Sequence, residues 1–327
     1  MCSKPRLLGL CEHQNDTTRQ GSDLKLFDVF LLTLAPLLWA GNAVVGRMMT
    51  EICPPMTLNF LRWVFAFLFL LPLTYREFGL EGPIFRNSKK FAVLGFLGVG
   101  SYNSLQYLAL KTSTPINTTL VASISPVFIL LLGAVFFHQR IRLAQIAGAI
   151  LSICGVIVVL CRGNVALLDQ VHFVMGDAYI LLATACWGLY SWLLSKDAAD
   201  PDRVHSWSTL LMGQMVFGLM WSGCFTALEW TLEEPKLVLG WPLAATLLYL
   251  SIGPALIAYR CWGLGISRTS PSVAGFFSNL TPVFAATLST LALGDAPKPF
   301  HVLAFLLIVS GIWISSKKFT PKANAES

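Results

Sequence analysis

The chain has 327 residues, 55% of them hydrophobic and only 12% charged, with a net charge of +6 and a mean hydropathy of +0.66. A soluble domain carries about 25% charged residues, so this chain has too little charge to cover a surface in water. The positive balance does not point to nucleic acid, because the basic residues are scattered between apolar stretches.

Residues 1–27 are polar and mixed in charge, too long and hydrophilic to open a signal peptide. Apolar runs of about 20 residues follow, enough to cross about 30 Å of hydrocarbon at 1.5 Å per residue. The first, 28–48, reads as an uncleaved helix kinked at Pro36, which lacks a backbone donor. Further spans are expected at 56–73, 91–110, 116–137 and 143–161. A second set is expected at 174–194, 206–227, 241–266, 271–292 and 300–316. Pro126 and Pro282 fall inside two of these spans and are expected, like Pro36, to kink helices that gate. Alternating segments of about ten residues, the mark of a β-barrel, are not found. The expected fold is an all-α integral membrane protein of about ten transmembrane helices.

Lys and Arg fall unevenly between the two sides. Sixteen lie on the side of both termini, five on the other, and Arg62 and Arg260 lie inside spans. This bias puts both tails, 1–27 and 317–327, in the cytoplasm of a multi-pass protein of the inner or plasma membrane. The eight cysteines show no CxxC pair and no Cys/His ligand spacing. Those at 154, 186, 224 and 261 sit in apolar runs as small hydrophobes, so no disulfide framework, metal or cofactor is implied. No GxxxxGK[ST] sequence is present, so transport driven directly by ATP is not expected.

Two stretches are near copies. Ser113-Thr114-Pro115 answers to Thr269-Ser270-Pro271, and Ser125-Pro126-Val127-Phe128 to Thr281-Pro282-Val283-Phe284, both 156 residues on. Gly155 and Gly311 keep that offset, while Trp39-Ala40-Gly41 and Trp187-Gly188-Leu189 echo each other at 148. A solenoid repeat would recur at about 20–50 residues, so this is half a protein written twice. With five helices each, 28–163 and 174–316 must enter the membrane from opposite sides. Inverted repeats of this kind mark secondary transporters, with a substrate cavity where the repeats meet.

Several of these residues resemble the drug/metabolite transporter superfamily, EamA type. Trp39-Ala40-Gly41-Asn42 resembles its WGxN motif and Leu61-Arg62-Trp63 its second-helix LRF. Tyr107-Leu108-Ala109-Leu110 is similar to its third-helix ending, the two Pro-Val-Phe segments to its PxF, and Ala258-Tyr259 with Trp262 to its AYxxW. The likeness runs over 28–316 and implies ten helices around a central cavity, exporting metabolites or drugs. Where that family often has Gly-Glu, this chain has His138-Gln139 and Gly294-Asp295, so the first half lacks the carboxylate.

Charge inside a membrane is expensive, so Arg62 and Arg260 are the first candidates for substrate contact. Either guanidinium can grip a carboxylate with paired hydrogen bonds, or snorkel to the near interface. Asn42, Tyr102, Asn103, Gln106, Tyr190, Gln214, Tyr259 and Asn279 should face the bundle interior, lining a cavity or bonding helix to helix. Trp39 and Trp187 occupy corresponding places and are candidates to stack on a substrate from opposite sides.

No Asp or Glu lies deep in a span, which weighs against proton-coupled multidrug efflux and favours a facilitator or exchanger. The function expected is export of small metabolites, preferably amino acids or related zwitterions and organic acids. Efflux of cationic amphiphiles is the alternative within transport. A membrane-embedded enzyme acting on lipid-linked substrates is the alternative outside it, but no His, Asp or Glu cluster supports it. The partners expected are a small-molecule substrate and the bilayer, with the protein a monomer or homodimer.

Overall fold

The computed structural model describes residues 24–49, 51–78, 82–110, 112, 121–164, 166, 174–200, 206–232, 236–292 and 298–316. The Ser113-Thr114-Pro115 turn, residues 116–120, the Gly294-Asp295 pair and the tails 1–23 and 317–327 lie outside the described residues.

Backbone N–H and C=O groups in hydrocarbon must be paired within the chain, and helices do this with local bonds. In chain order the helices are α1 (Leu26–Met48), α2 (Pro55–Thr74), α3, α4 (Ser125–Phe137), α5 (Leu143–Leu160), α6 (Met175–Ala199), α7 (Trp207–Leu232), α8, α9 and α10 (Pro299–Ser316). Here α3 is the run Ser88–Leu94, Gly95–Ser101 and Tyr102–Leu110, and α8 the run Trp241–Leu250, Ser251–Ile257 and Ala258–Arg268. The last, α9, joins Pro271–Ser278 to Leu280–Ala292 across Asn279. Among the described residues, seven helices are long and apolar enough to cross a membrane: α1, α2, α5, α6, α7, α8 and α10.

The prolines behave differently from one another. Pro36 lies inside α1. Pro126, by contrast, sits in the first turn of α4, after a turn at Ser123–Ile124. There its missing N–H has no intrahelical partner to lose, so it opens a helix instead of bending one. Pro282 likewise follows the break at Asn279.

The middle segments of α3 and α8, Gly95–Ser101 and Ser251–Ile257, are wound as π-helix. They are 156 residues apart from end to end, so the repeat extends to this irregularity. A π-turn shifts the bonding ladder and releases carbonyls for other donors. Both segments use that freedom: Tyr259 donates to the Gly98 carbonyl at 2.5 Å, and Trp39 donates through Nε1 to the Pro254 carbonyl at 3.3 Å. Gly98 and Pro254 are themselves counterparts at the same offset.

Helices α5 and α10 pack backbone against backbone. A Cβ added to Gly148 would stand 2.5 Å from the Gly311 carbonyl, and one on Gly311 would stand 2.6 Å from the Gly148 carbonyl. Further along, a Cβ on Gly155 would stand 2.8 Å from the Ala304 carbonyl. Position 148 thus pairs with 311 and 155 with 304, an antiparallel contact in which each glycine of α5 meets the counterpart of the other. Lipid tails offer no hydrophobic drive between helices, and small residues permit backbone packing instead. Between the breaks, Asn279 Nδ2 donates to the carbonyl of Ser123, its own counterpart, at 3.1 Å, and to Ser152 Oγ at 2.9 Å.

Elsewhere the ends are tied together by charge. The buried Glu229 carboxylate in the last turns of α7 accepts from the Met56 and Thr57 backbone at 3.0 and 2.9 Å and from Thr57 Oγ1 at 2.8 Å. It thereby caps orphan donors at the start of α2, where its negative charge also suits the helix dipole. At the opposite end, Asp28 pairs with Arg268 and Lys90 with Asp197, each linking one half of the chain to the other.

Candidate functional site

Aromatic side chains from five helices converge in the centre. Trp39 on α1 meets Trp187 on α6 with ring centroids 5.2 Å apart, edge to face, and Trp262 on α8 at 5.4 Å. Trp187 in turn meets Tyr102 on α3 at 5.4 Å, Tyr190 at 5.0 Å and Tyr259 at 5.8 Å. Trp63 on α2 closes the group against Tyr259 at 5.1 Å. Edge-to-face and tilted pairs at these separations suit the ring quadrupoles, which favour a fixed cluster over a loose apolar gap. The buried pair Tyr190 and Gln214 is locked by a hydrogen bond of 3.0 Å from the phenol to the amide oxygen.

Next to this cluster lies Arg62, only 4% exposed. Its Nη1 donates to Asn42 Oδ1 at 2.8 Å, and its Cζ stands 5.3 Å from the Trp63 ring centroid. The Nε has no partner, and among the described residues no carboxylate neutralises the charge. Asn59 Oδ1 and Trp63 Nε1, on the same face of α2 at spacings of three and four residues, are also buried without partners. So are the hydroxyls of Ser101 and Ser104 on α3. Leaving a buried polar group unpaired costs roughly 1–3 kcal/mol, and more for a charged one. These faces therefore carry unused capacity to bind a polar, preferably anionic, group.

The remaining candidates divide. Asn103 is buried and Gln106 half-buried on α3, three residues apart. Asn279 makes its bonds at the α4–α5–α9 junction and shares no ring contact or hydrogen bond with the aromatic cluster. Arg260 is exposed, with its Cζ 5.0 Å from the Trp207 ring centroid. Sequence reasoning missed Trp63 as a member of the aromatic cluster and used Trp262 only as a motif. Their positions next to Arg62 and three residues after Tyr259 were the available signal.

The sequence profile of the EamA-like transporter family matches residues 26–161 and 174–317. An aromatic amino acid exporter of Ancylobacter novellus is 29% identical over 230 residues, covering 68% of this chain and 75% of that protein. A probable amino-acid metabolite efflux pump of Salmonella typhimurium is 25% identical over 315 residues, covering 91% and 97%. An uncharacterized transporter of Archaeoglobus fulgidus is 26% identical over 292 residues, covering 88% and 96%. A solved crystal structure at 24% identity superposes with a TM-score of 0.69, covering 88% of this chain and 95% of that one, so the two share a fold.

Proposed function

Because the chain belongs to the EamA-like transporter family, we propose that this multi-pass membrane protein exports amino acids or related carboxylate-bearing metabolites by alternating access. The observation that carries this reading is the Arg62 guanidinium, buried beside the aromatic cluster with Asn42 as its side-chain acceptor and no acid among the described residues. Removing one partner of a buried ion pair costs about 3–5 kcal/mol, and a site built without that partner gains when a ligand supplies it. A substrate carboxylate would accept from Nε and the free guanidinium edge in a bidentate fork. Its apolar or aromatic side chain would pack among Trp39, Trp187 and Tyr259, and an ammonium would face the ring planes.

The relatives named as amino acid exporters and efflux pumps support the same substrate class. A cationic amphiphile, by contrast, would meet Arg62 as a like charge. The shared 156-residue offset of the π-segments supports a reading of two inverted five-helix repeats, 28–163 and 174–316. The antiparallel α5–α10 contact is what a two-fold axis in the membrane plane would produce. With both termini on the Lys/Arg-rich side, the protein would sit in the inner or plasma membrane with cytoplasmic tails.

The test is efflux from proteoliposomes loaded with labelled amino acids, organic acids and cationic dyes, with and without a pH gradient. Amino acids should leave without the gradient. Arg62→Ala should slow them about 100-fold, and Arg62→Lys less, because a lysine restores charge without the fork. Gradient-dependent movement of dyes alone would sink the reading.

A further inference from the structure

A cavity of about 80 Å³ opens between the ends of α6, α7 and α8 on the Lys/Arg-rich side. Its floor is Tyr190, Gln214 and Tyr259, so it shares residues with the central cluster. Leu194, Leu210 and Leu264 give it aliphatic walls, and Arg260 and Trp207 also line it. Neighbouring residues on an α-helix point about 100° apart, which lets Tyr259 face the centre while Arg260 faces the groove. Arg260 stands eight residues, about 12 Å, before the end of α8. Its guanidinium lies against the Trp207 ring, and among the described residues it has no ion pair or hydrogen bond. A cation held that far along a membrane helix without an acid is expensive and marks a path for charge. A water needs roughly 10–15 Å³ of such space, so the groove holds about six, room for a carboxylate and the first carbons attached to it.

We infer that this groove is where a carboxylate-bearing solute is first held on the Lys/Arg-rich side, its carboxylate on Arg260 and its apolar part against Trp207 and the leucines. The inference rests on the transport reading above and adds a capture site distinct from the central one. Continuity of the floor with the aromatic cluster favours a solute in transit over a resident lipid headgroup. From the groove, the carboxylate has a second guanidinium to move to, Arg62, across the Tyr259 ring that touches Trp63.

The Arg62→Ala protein in nanodiscs of zwitterionic lipid isolates the groove. Phenylalanine and phenylalaninamide are titrated and followed by calorimetry. The Arg62→Ala protein should still bind phenylalanine and prefer it to the amide. Adding Arg260→Ala should weaken phenylalanine about tenfold, the loss expected for one charge-assisted pair, with Arg260→Lys in between. Equal affinity with and without Arg260, or equal binding of acid and amide, overturns the proposal. Discs enriched in anionic lipid should leave phenylalanine binding intact, and abolition there would assign the groove to a headgroup instead. If Arg62→Ala alone removes all binding, the groove falls and the central site stands. If groove binding persists while the wild type exports no amino acid, the central reading is the one that fails.

Discussion

In the first half of the chain, positions 42, 103 and 106 are Asn42, Asn103 and Gln106. The corresponding positions of the second half, 148 residues on for the first and 156 for the others, are Tyr190, Tyr259 and Trp262. Trp39 and Trp187 match, but Arg62 answers to Leu210. The scaffold shows no such divergence. Both π-segments, the Gly98 and Pro254 carbonyls that receive a ring donor, and the α5–α10 glycine contact keep their places in both copies. Where backbones touch, a change in one copy must be met in the other. Where side chains face a cavity, each copy is free to specialise. At these matched positions the first half has amides and the second phenols or an indole, while Trp39, Trp63 and Tyr102 of the first half also belong to the aromatic cluster.

The strongest way to break this comparison is to strike the part that stayed symmetric. Gly148→Leu and Gly311→Leu each drive a side chain into a backbone carbonyl 2.5–2.6 Å from the new Cβ, and a backbone cannot swing aside as a side chain can. Each should lower stability by about 3 kcal/mol or more. Because the contact is reciprocal, the two losses should be similar. Thermal unfolding in detergent reads both, and one mutant melting like the wild type would show that the contact is not mutual.

The asymmetric part should respond in substrate preference as well as in folding. Tyr259→Asn places the first half's residue in the second half. It removes ring contacts to Trp39, Trp63, Trp187 and Tyr190, and the bond to Gly98. Each aromatic pair is worth about 0.5–1.5 kcal/mol, so the KM for aromatic amino acids should rise about tenfold, with a smaller change for alanine. Asn103→Ala should instead affect both substrates alike, about threefold, because it removes only a polar contact. A Tyr259→Asn protein with unchanged preference for aromatic over small substrates would show that the rings pack the bundle without meeting the substrate.

Much of the fold was legible because membrane thickness writes itself into apolar length. The spans expected at 56–73, 143–161 and 300–316 end within two residues of α2, α5 and α10. Facing was harder to read. Helices among lipid and protein are apolar nearly all round, so no amphipathic stripe tells which side of α2 turns inward. Arg62 and Arg260 therefore looked equivalent in sequence, yet one is buried beside the rings and the other lies on Trp207 at a groove. Pro126 and Pro282, expected to kink helices that gate, stand in the first turns of helices, and a proline that opens a helix and one that bends it differ only in what precedes them. The π-segments left no sequence mark beyond their small residues, and the cap that Glu229 provides on α2 joins residues more than 170 apart.

The smallest effect tests a departure from symmetry in residue type, His138 in the first copy against Gly294 in the second. The chain leaves α4 through His138, whose φ of 54° and ψ of 30° place it in the left-handed region while its N–H donates to the Gly133 carbonyl. A residue with a Cβ is strained there by roughly 1 kcal/mol, whereas glycine is not. The sequence comparison made this position look like the loss of a Gly-Glu pair, with the missing carboxylate as the feature of interest. The geometry gives the glycine its own purpose, as the residue that ends the helix. His138→Gly should raise stability by about 1 kcal/mol, offset in part by the freedom glycine adds to the unfolded chain. His138→Val should lower it by more, since a β-branched side chain tolerates positive φ poorly. Asparagine should fall near histidine. Melting the three variants side by side fixes the order, and a glycine variant that melts below the wild type would mean the imidazole makes a contact that outweighs its strain.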